Sequence, residues 1–240
     1  MRQFSPPHLA ALAVMVVLVV GSVVAARRWP GRWMRWWAWL LAAGIFVAWA
    51  GEYVDDVVLG IWSVQFTLPL QLTDVISLLS IYALLTRRAW AVQVLFLWAF
   101  TATLQAVLTP DLAHNFPTIL YFTYFGYHVG AIVAAAFLAF GQRVYPEPRF
   151  VWVTWGATLS WAAVAGLADV ITGGNYMYLA WKPAHGSLLS YLGPWPWYIA
   201  GAAAVGLAML WLVEGVAVGL RRWLGDAERG RLESRSRVVA

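Results

Sequence analysis

A hydroxyl, an imidazole and a carboxylate recur at matching depth in two apolar stretches of this 240-residue chain: Thr73 and Asp74 in one, His128 in the other. These are the parts of an activated nucleophile, in which the imidazole takes the hydroxyl proton and the acid orients the ring. Thr73 precedes Arg87 by fourteen residues and His128 precedes Arg143 by fifteen, which at 1.5 Å per helical residue puts both roughly 21–22 Å from their basic flanks. On a helix, Thr73, Ser77 and Ser80 share a face with Asp74 about 100° round, and Tyr121, Tyr124 and His128 share another. Two such faces can meet, with Gln71 or Gln105 placed to hold an oxyanion. The plainer reading has Thr73 bonding its own backbone, Asp74 pairing with a tyrosine or with His128, and the set holding helices together.

Two other groupings invite chemistry. His114, His128, His185 and several carboxylates all fall toward one end of the apolar stretches, but no His-x-x-x-His or Glu-x-x-His pair exists, so the expectation is no metal. The stretch Gly173-Gly174-Asn175-Tyr176-Met177-Tyr178-Leu179-Ala180-Trp181-Lys182-Pro183, followed by Gly193-Pro194-Trp195-Pro196-Trp197-Tyr198, is unusually aromatic for a loop. It reads as an interfacial belt or as a lid over an outward-facing cavity. In the second case Asn175 and Lys182 contact substrate, Lys182 through a phosphate or carboxylate headgroup, with Tyr124 beneath.

The elements that must position these residues follow from composition. The chain is 62% apolar and 11% charged, far from the balance of a soluble domain. Apolar runs at about 8–26, 33–51, 68–86, 90–108, 117–140, 150–171 and 195–220 are each long enough to cross a bilayer. The expectation is an all-α polytopic bundle of seven transmembrane helices over 1–225, with a charged, disordered tail at 226–240. Arginines gather in alternate loops: Arg27, Arg28, Arg32 and Arg35, then Arg87 and Arg88, then Arg143 and Arg149, then the tail. Only Arg2 and Lys182 lie on the other side, which sets the N-terminus outside and the C-terminus in the cytoplasm. Basic residues confined to short loops report orientation, so the net charge of +5 does not indicate nucleic acid. The absence of cysteine removes thiol chemistry and disulfides. Small residues four apart, Gly126 with Gly130, Ala202 with Gly206 and Gly215 with Gly219, allow close helix contact.

The residues Asn175-Tyr176-Met177-Tyr178-Leu179, Lys182-Pro183, Ser187-Leu188-Leu189 and Gly193-Pro194-Trp195-Pro196-Trp197-Tyr198 resemble the longest motif of a family of bacterial integral membrane proteins typified by YwaF. Leu68-Pro69-Leu70, Leu104-Gln105-Ala106, Leu108-Thr109-Pro110-Asp111-Leu112 and His128 resemble its earlier segments. More distantly the chain is similar to a eukaryotic multi-pass ether-phospholipid acyltransferase, and to androgen-induced intramembrane hydrolases of fatty-acid esters, which use a threonine and a histidine. These resemblances imply a bacterial inner membrane and lipid acyl chemistry. The chain departs from the bacterial pattern after Pro69, where Gln71 and Thr73 stand in place of a histidine and a cysteine. Thr73 then either replaces the nucleophile or marks its loss.

The resulting expectation is a hydrolase or acyltransferase acting on a lipid ester from the outer face, with Thr73 as nucleophile, His128 as base and Asp74 as its orienting acid. The alternative is a non-catalytic transporter or lipid-binding module with an outward-facing polar pocket. Membrane lipids are the expected partners, no cofactor is expected, and one sequence leaves a homo-oligomer open.

Overall fold

The computed structural model describes residues 2–112, 115–183 and 187–239, with side chains through Gly225. The expectations for His114 and for His185 lie outside the residues so described, and of the tail at 226–240 only the backbone through Val239, continuing the last helix, is described. Among the described residues each apolar run forms a helix over most of its length: α1 Pro6–Arg28, α2 Trp33–Val58, α3 Leu72–Thr86, α4 Ala89–Leu108, α5 Ile119–Gly141, α6 Arg149–Thr172 and α7 Trp197–Gly225. Six are long and apolar enough to span a bilayer. The 15-residue α3 is shorter, roughly 22 Å. The chain is an integral membrane protein, a seven-helix polytopic bundle.

The expected third span began at residue 68, but the helix starts at Leu72. Leu68, Pro69 and Leu70 remain in the connection, and Gln71, extended at φ −67° and ψ 148°, caps the helix. Proline disfavours helix in the residue before it, and the cap supplies an acceptor that the first turn lacks.

The bundle is built around α4 and α5, which are 67% and 83% buried, whereas α1, α2, α6 and α7 are 17–22% buried and turn valine, leucine and tryptophan outward. Apolar outer faces around a partly polar centre suit a lipid surround. A π-helical turn interrupts α4 at Ala99–Thr103 and another ends α5 at Phe137–Gly141. Such turns re-aim the residues that follow, here Gln105.

Helices α2 and α5 approach most closely where α5 lacks side chains. A Cβ on Gly126 would stand 2.8 Å from Ala48 Cβ, and one on Gly130 would stand 2.6 Å from Ile45 Cγ1. This small-residue pair therefore makes the close contact its spacing suggested. The other two spacings do not: Gly206, Gly215 and Gly219 meet nothing within 4 Å.

Candidate functional site

The start of α3 is organised by one carboxylate. Asp74 Oδ2 accepts the Gln71 backbone N–H at 2.9 Å, while Oδ1 accepts Trp49 Nε1–H at 2.9 Å and the Tyr53 hydroxyl at 2.6 Å. Trp49 and Tyr53 are one turn apart on α2, so both reach the same oxygen. Asp74 is only 6% exposed, and burial of an ionised acceptor is tolerable when several donors surround it. The carboxylate thus clasps α2 to the capped end of α3. His128 is not among its hydrogen-bond partners, so the orienting role expected of Asp74 is absent from this arrangement.

Thr73 occupies the second position of α3. Ser77 and Ser80 donate to the carbonyls of Thr73 and Ile76, one turn back, at 2.8 and 2.7 Å. Thr73 has no helical carbonyl one turn back, because the helix begins just before it. Among the described residues its hydroxyl makes no hydrogen bond, either to its own backbone or to His128. It is half-buried at a helix N-terminus, where the macrodipole favours developing negative charge.

His128 lies in the middle of α5, on a helix packed against α3, and is 2% exposed. Its Nδ1 stands 2.8 Å from the Tyr124 carbonyl. A carbonyl can only accept, so Nδ1 carries a proton, and in the neutral imidazole Nε2 then keeps its lone pair. No described residue hydrogen-bonds Nε2. The Tyr124 and Tyr127 rings hold the imidazole, with centroids 4.3 and 4.2 Å away. The Tyr124 hydroxyl is occupied, donating to the Ala106 carbonyl of α4 at 2.8 Å. Beside Ala106, the half-buried Gln105 side chain hydrogen-bonds no described residue.

The remaining expected site residues serve the loop after α6. Asn175 Oδ1 accepts the N–H groups of Ala180 and Trp181, each at 3.0 Å, and its Nδ2 donates to the Trp181 carbonyl at 2.9 Å. Gln71 Oε1 accepts Met177 N–H at 2.9 Å. Lys182 Nζ donates to the Gly193 carbonyl and lies 5.3 Å from the Tyr198 ring centroid. Tyr176 is fully buried and donates to the Val64 carbonyl while accepting Leu68 N–H. Tyr178 donates to Asp111 Oδ2 at 2.8 Å. Burial pushes the Tyr176 phenol up; burial and then the Asp111 carboxylate do the same for Tyr178. Met177 and Tyr178 hold left-handed φ of 54° and 56°, a strained conformation for non-glycine residues. The aromatic stretch is therefore seated between the α2–α3 connection, Asp111 and α7.

The structure brings Tyr124 to His128, and Gln71 to both Asp74 and the loop. Asn175 and Lys182 instead hydrogen-bond backbone groups of the loop after α6. Sequence reasoning passed over the α2 partners of Asp74, Trp49 and Tyr53, and over Tyr127. Glu52 is half-buried with Tyr127 and Asp74 as neighbours in its electrostatic field. The Trp-x-x-x-Tyr spacing was the available signal, hidden among seventeen tryptophans. Among the described residues no group of three or more histidine, aspartate or glutamate side chains could hold a metal.

No curated protein matches the chain, and no solved structure does. A family model does: that of the TMEM164 family, over residues 3–213, and the chain belongs to this family.

Proposed function

We propose that the protein is a membrane-embedded hydrolase or acyltransferase of lipid esters in a bacterial inner membrane, with its polar end toward the outer leaflet. The observation that carries this reading is the setting of His128: Nδ1 is committed to the Tyr124 carbonyl and no described residue hydrogen-bonds Nε2, so the neutral imidazole offers Nε2 as a base. The backbone carbonyl takes the orienting part first assigned to Asp74. Thr73 is the nucleophile of the scheme, supported by its unbonded hydroxyl at the start of α3. Its oxygen attacks the acyl carbonyl while Nε2 takes the hydroxyl proton. The ester C–O bond breaks, the proton passes to the departing alkoxide, and the acyl-threonine is resolved by water or by a lipid hydroxyl. Gln105, whose amide is unengaged, supplies a donor for the oxyanion. The imidazole is buried, so the ester reaches it only after the side chains packed on it have moved. The resemblance to threonine-dependent hydrolases points the same way.

Thr73→Ala and His128→Ala should each lower ester turnover by about 10²-fold or more in purified protein, because each removes a reacting or proton-carrying group. A fluorophosphonate probe should label wild type and not Thr73→Ala. Turnover that survives either substitution removes the mechanism.

One observation favours a second reading, a lipid-binding module without catalysis. An apolar cavity of about 450 Å³ lies between α1, α2 and α5, walled by Val14, Leu41, Gly44, Phe122, Phe125 and Gly126. Binding of a lipid without turnover by the wild type would select it.

A further inference from the structure

Three buried oxygens on adjacent helices have no hydrogen-bond partner: Gln93 Oε1 of α4, Thr154 Oγ1 of α6 and Glu214 Oε1 of α7. The three residues are 3%, 0% and 6% exposed. All lie toward the end of the bundle where the basic loops gather. Gln93 is five residues from Arg88, Thr154 five from Arg149 and Glu214 seven from Arg221, which puts each roughly 8–11 Å into its helix from that end.

Helices α4, α6 and α7 pack on one another, and two contacts fix their register. Trp98 Nε1–H donates to Thr158 Oγ1 at 2.8 Å, between α4 and α6; Gln93 and Thr154 precede that pair by five and four residues, so they stand at one level. Leu97 of α4 and Leu210 of α7 belong to one buried cluster with Val151 of α6. Gln93 and Glu214 each lie one turn from those leucines, on the same helix face and toward the same end, because α4 and α7 run antiparallel. Thr158 donates to the Thr154 carbonyl one turn back at 2.8 Å, as a threonine in a membrane helix commonly does, but Thr154 makes no such bond. Among the described residues Glu214 makes no hydrogen bond and no ion pair. Arg221, two turns further on, instead lies over the Tyr145 ring, 4.9 Å from its centroid. A lone carboxylate at this depth is costly until something neutralises it.

We propose that Gln93, Thr154 and Glu214 form a binding site for a sodium ion. An amide carbonyl, a hydroxyl and a carboxylate are hard oxygen ligands, which suit alkali and alkaline-earth ions better than transition metals. The single carboxylate decides between those two groups. It neutralises a monovalent ion, whereas a divalent ion leaves a net positive charge in an apolar surround. A bound ion joins α7 to α4 and α6 through the three side chains. The site lies on other helices than Thr73 and His128, and it stands or falls independently of the catalytic reading.

The test uses the full chain, purified in mild detergent with choline chloride as the only salt. Equilibrium binding of radiolabelled sodium and thermal unfolding are measured at constant ionic strength. Wild type should bind sodium saturably, and its Tm should rise with sodium but not with choline. Glu214→Gln keeps the side-chain shape and removes the charge; it should weaken binding about 100-fold or more and unfold at a temperature that sodium does not change. Thr154→Val and Gln93→Leu should each weaken binding about tenfold, the effect of losing one neutral oxygen ligand. Glu147→Gln, which alters an exposed acid near the same end, should bind as wild type does. Absence of saturable sodium binding by the wild type, the outcome if a proton alone neutralises Glu214, would overturn the proposal. So would undiminished binding by both Glu214→Gln and Thr154→Val, or magnesium or calcium occupying the site as tightly as sodium.

Discussion

The loop that follows α6 and the polar face of α5 are both rich in tyrosine, and they dispose of their polar groups in opposite ways. In the loop, the Asn175 amide, the Tyr176 hydroxyl and the Lys182 ammonium are directed at backbone groups. On α5, one nitrogen of His128 is committed and the other is not. Saturated groups hold a fold, whereas a buried group left with an open lone pair is available to a reactant. Asp74 belongs with the loop in this respect, although it lies in the membrane beside Thr73. Its two oxygens serve three donors and join two helices.

If that division is right, substitution of the saturated groups should damage stability in proportion to the donors abandoned. Asp74→Ala should have the largest effect, about 3–5 kcal/mol, because it strands the Trp49 indole, the Tyr53 hydroxyl and the Gln71 N–H. Thermal unfolding in detergent measures it. A loss under about 1 kcal/mol would return Asp74 to the list of functional acids. Asn175→Ala should follow at about 2–4 kcal/mol, since two loop N–H groups lose their acceptor and one carbonyl its donor. Activity per folded molecule should change little in that variant, and a lasting KM defect in fully folded Asn175→Ala would restore its role as a substrate contact.

The sequence made the bundle readable because each span is a long apolar run and the arginines alternate from loop to loop. It misplaced the start of α3, since Leu68, Pro69 and Leu70 are as apolar as the helix and only the capping geometry of Gln71 excludes them. The Tyr124–His128 pairing was legible from four-residue spacing on one helix. The clasp on Asp74 was legible only in kind, as a tyrosine partner holding helices together; that the partners are Tyr53 and Trp49 was not, because they come from another helix and aromatic residues near a membrane face have a generic explanation. Asn175 and Lys182 show a deeper ambiguity. A polar side chain in a Gly- and Pro-rich loop looks the same in sequence whether it bonds a ligand or its own backbone, and only coordinates separate the two.

The smallest stability effect should belong to the residue with the largest proposed chemical role. His128→Phe replaces the imidazole with a ring of similar width that can keep the stacking contacts with Tyr124 and Tyr127. The Tyr124 carbonyl loses one hydrogen bond, but it still sits inside a continuous helix, where the backbone N–H four residues on serves it. The buried polar nitrogen Nε2, which bonds no described residue, is removed at the same time, which offsets that loss. The variant should therefore unfold within about 1 kcal/mol of wild type while lacking ester turnover. Were His128→Phe instead as unstable as Asp74→Ala, the imidazole would be one more structural clasp, and the contrast between the two regions would disappear.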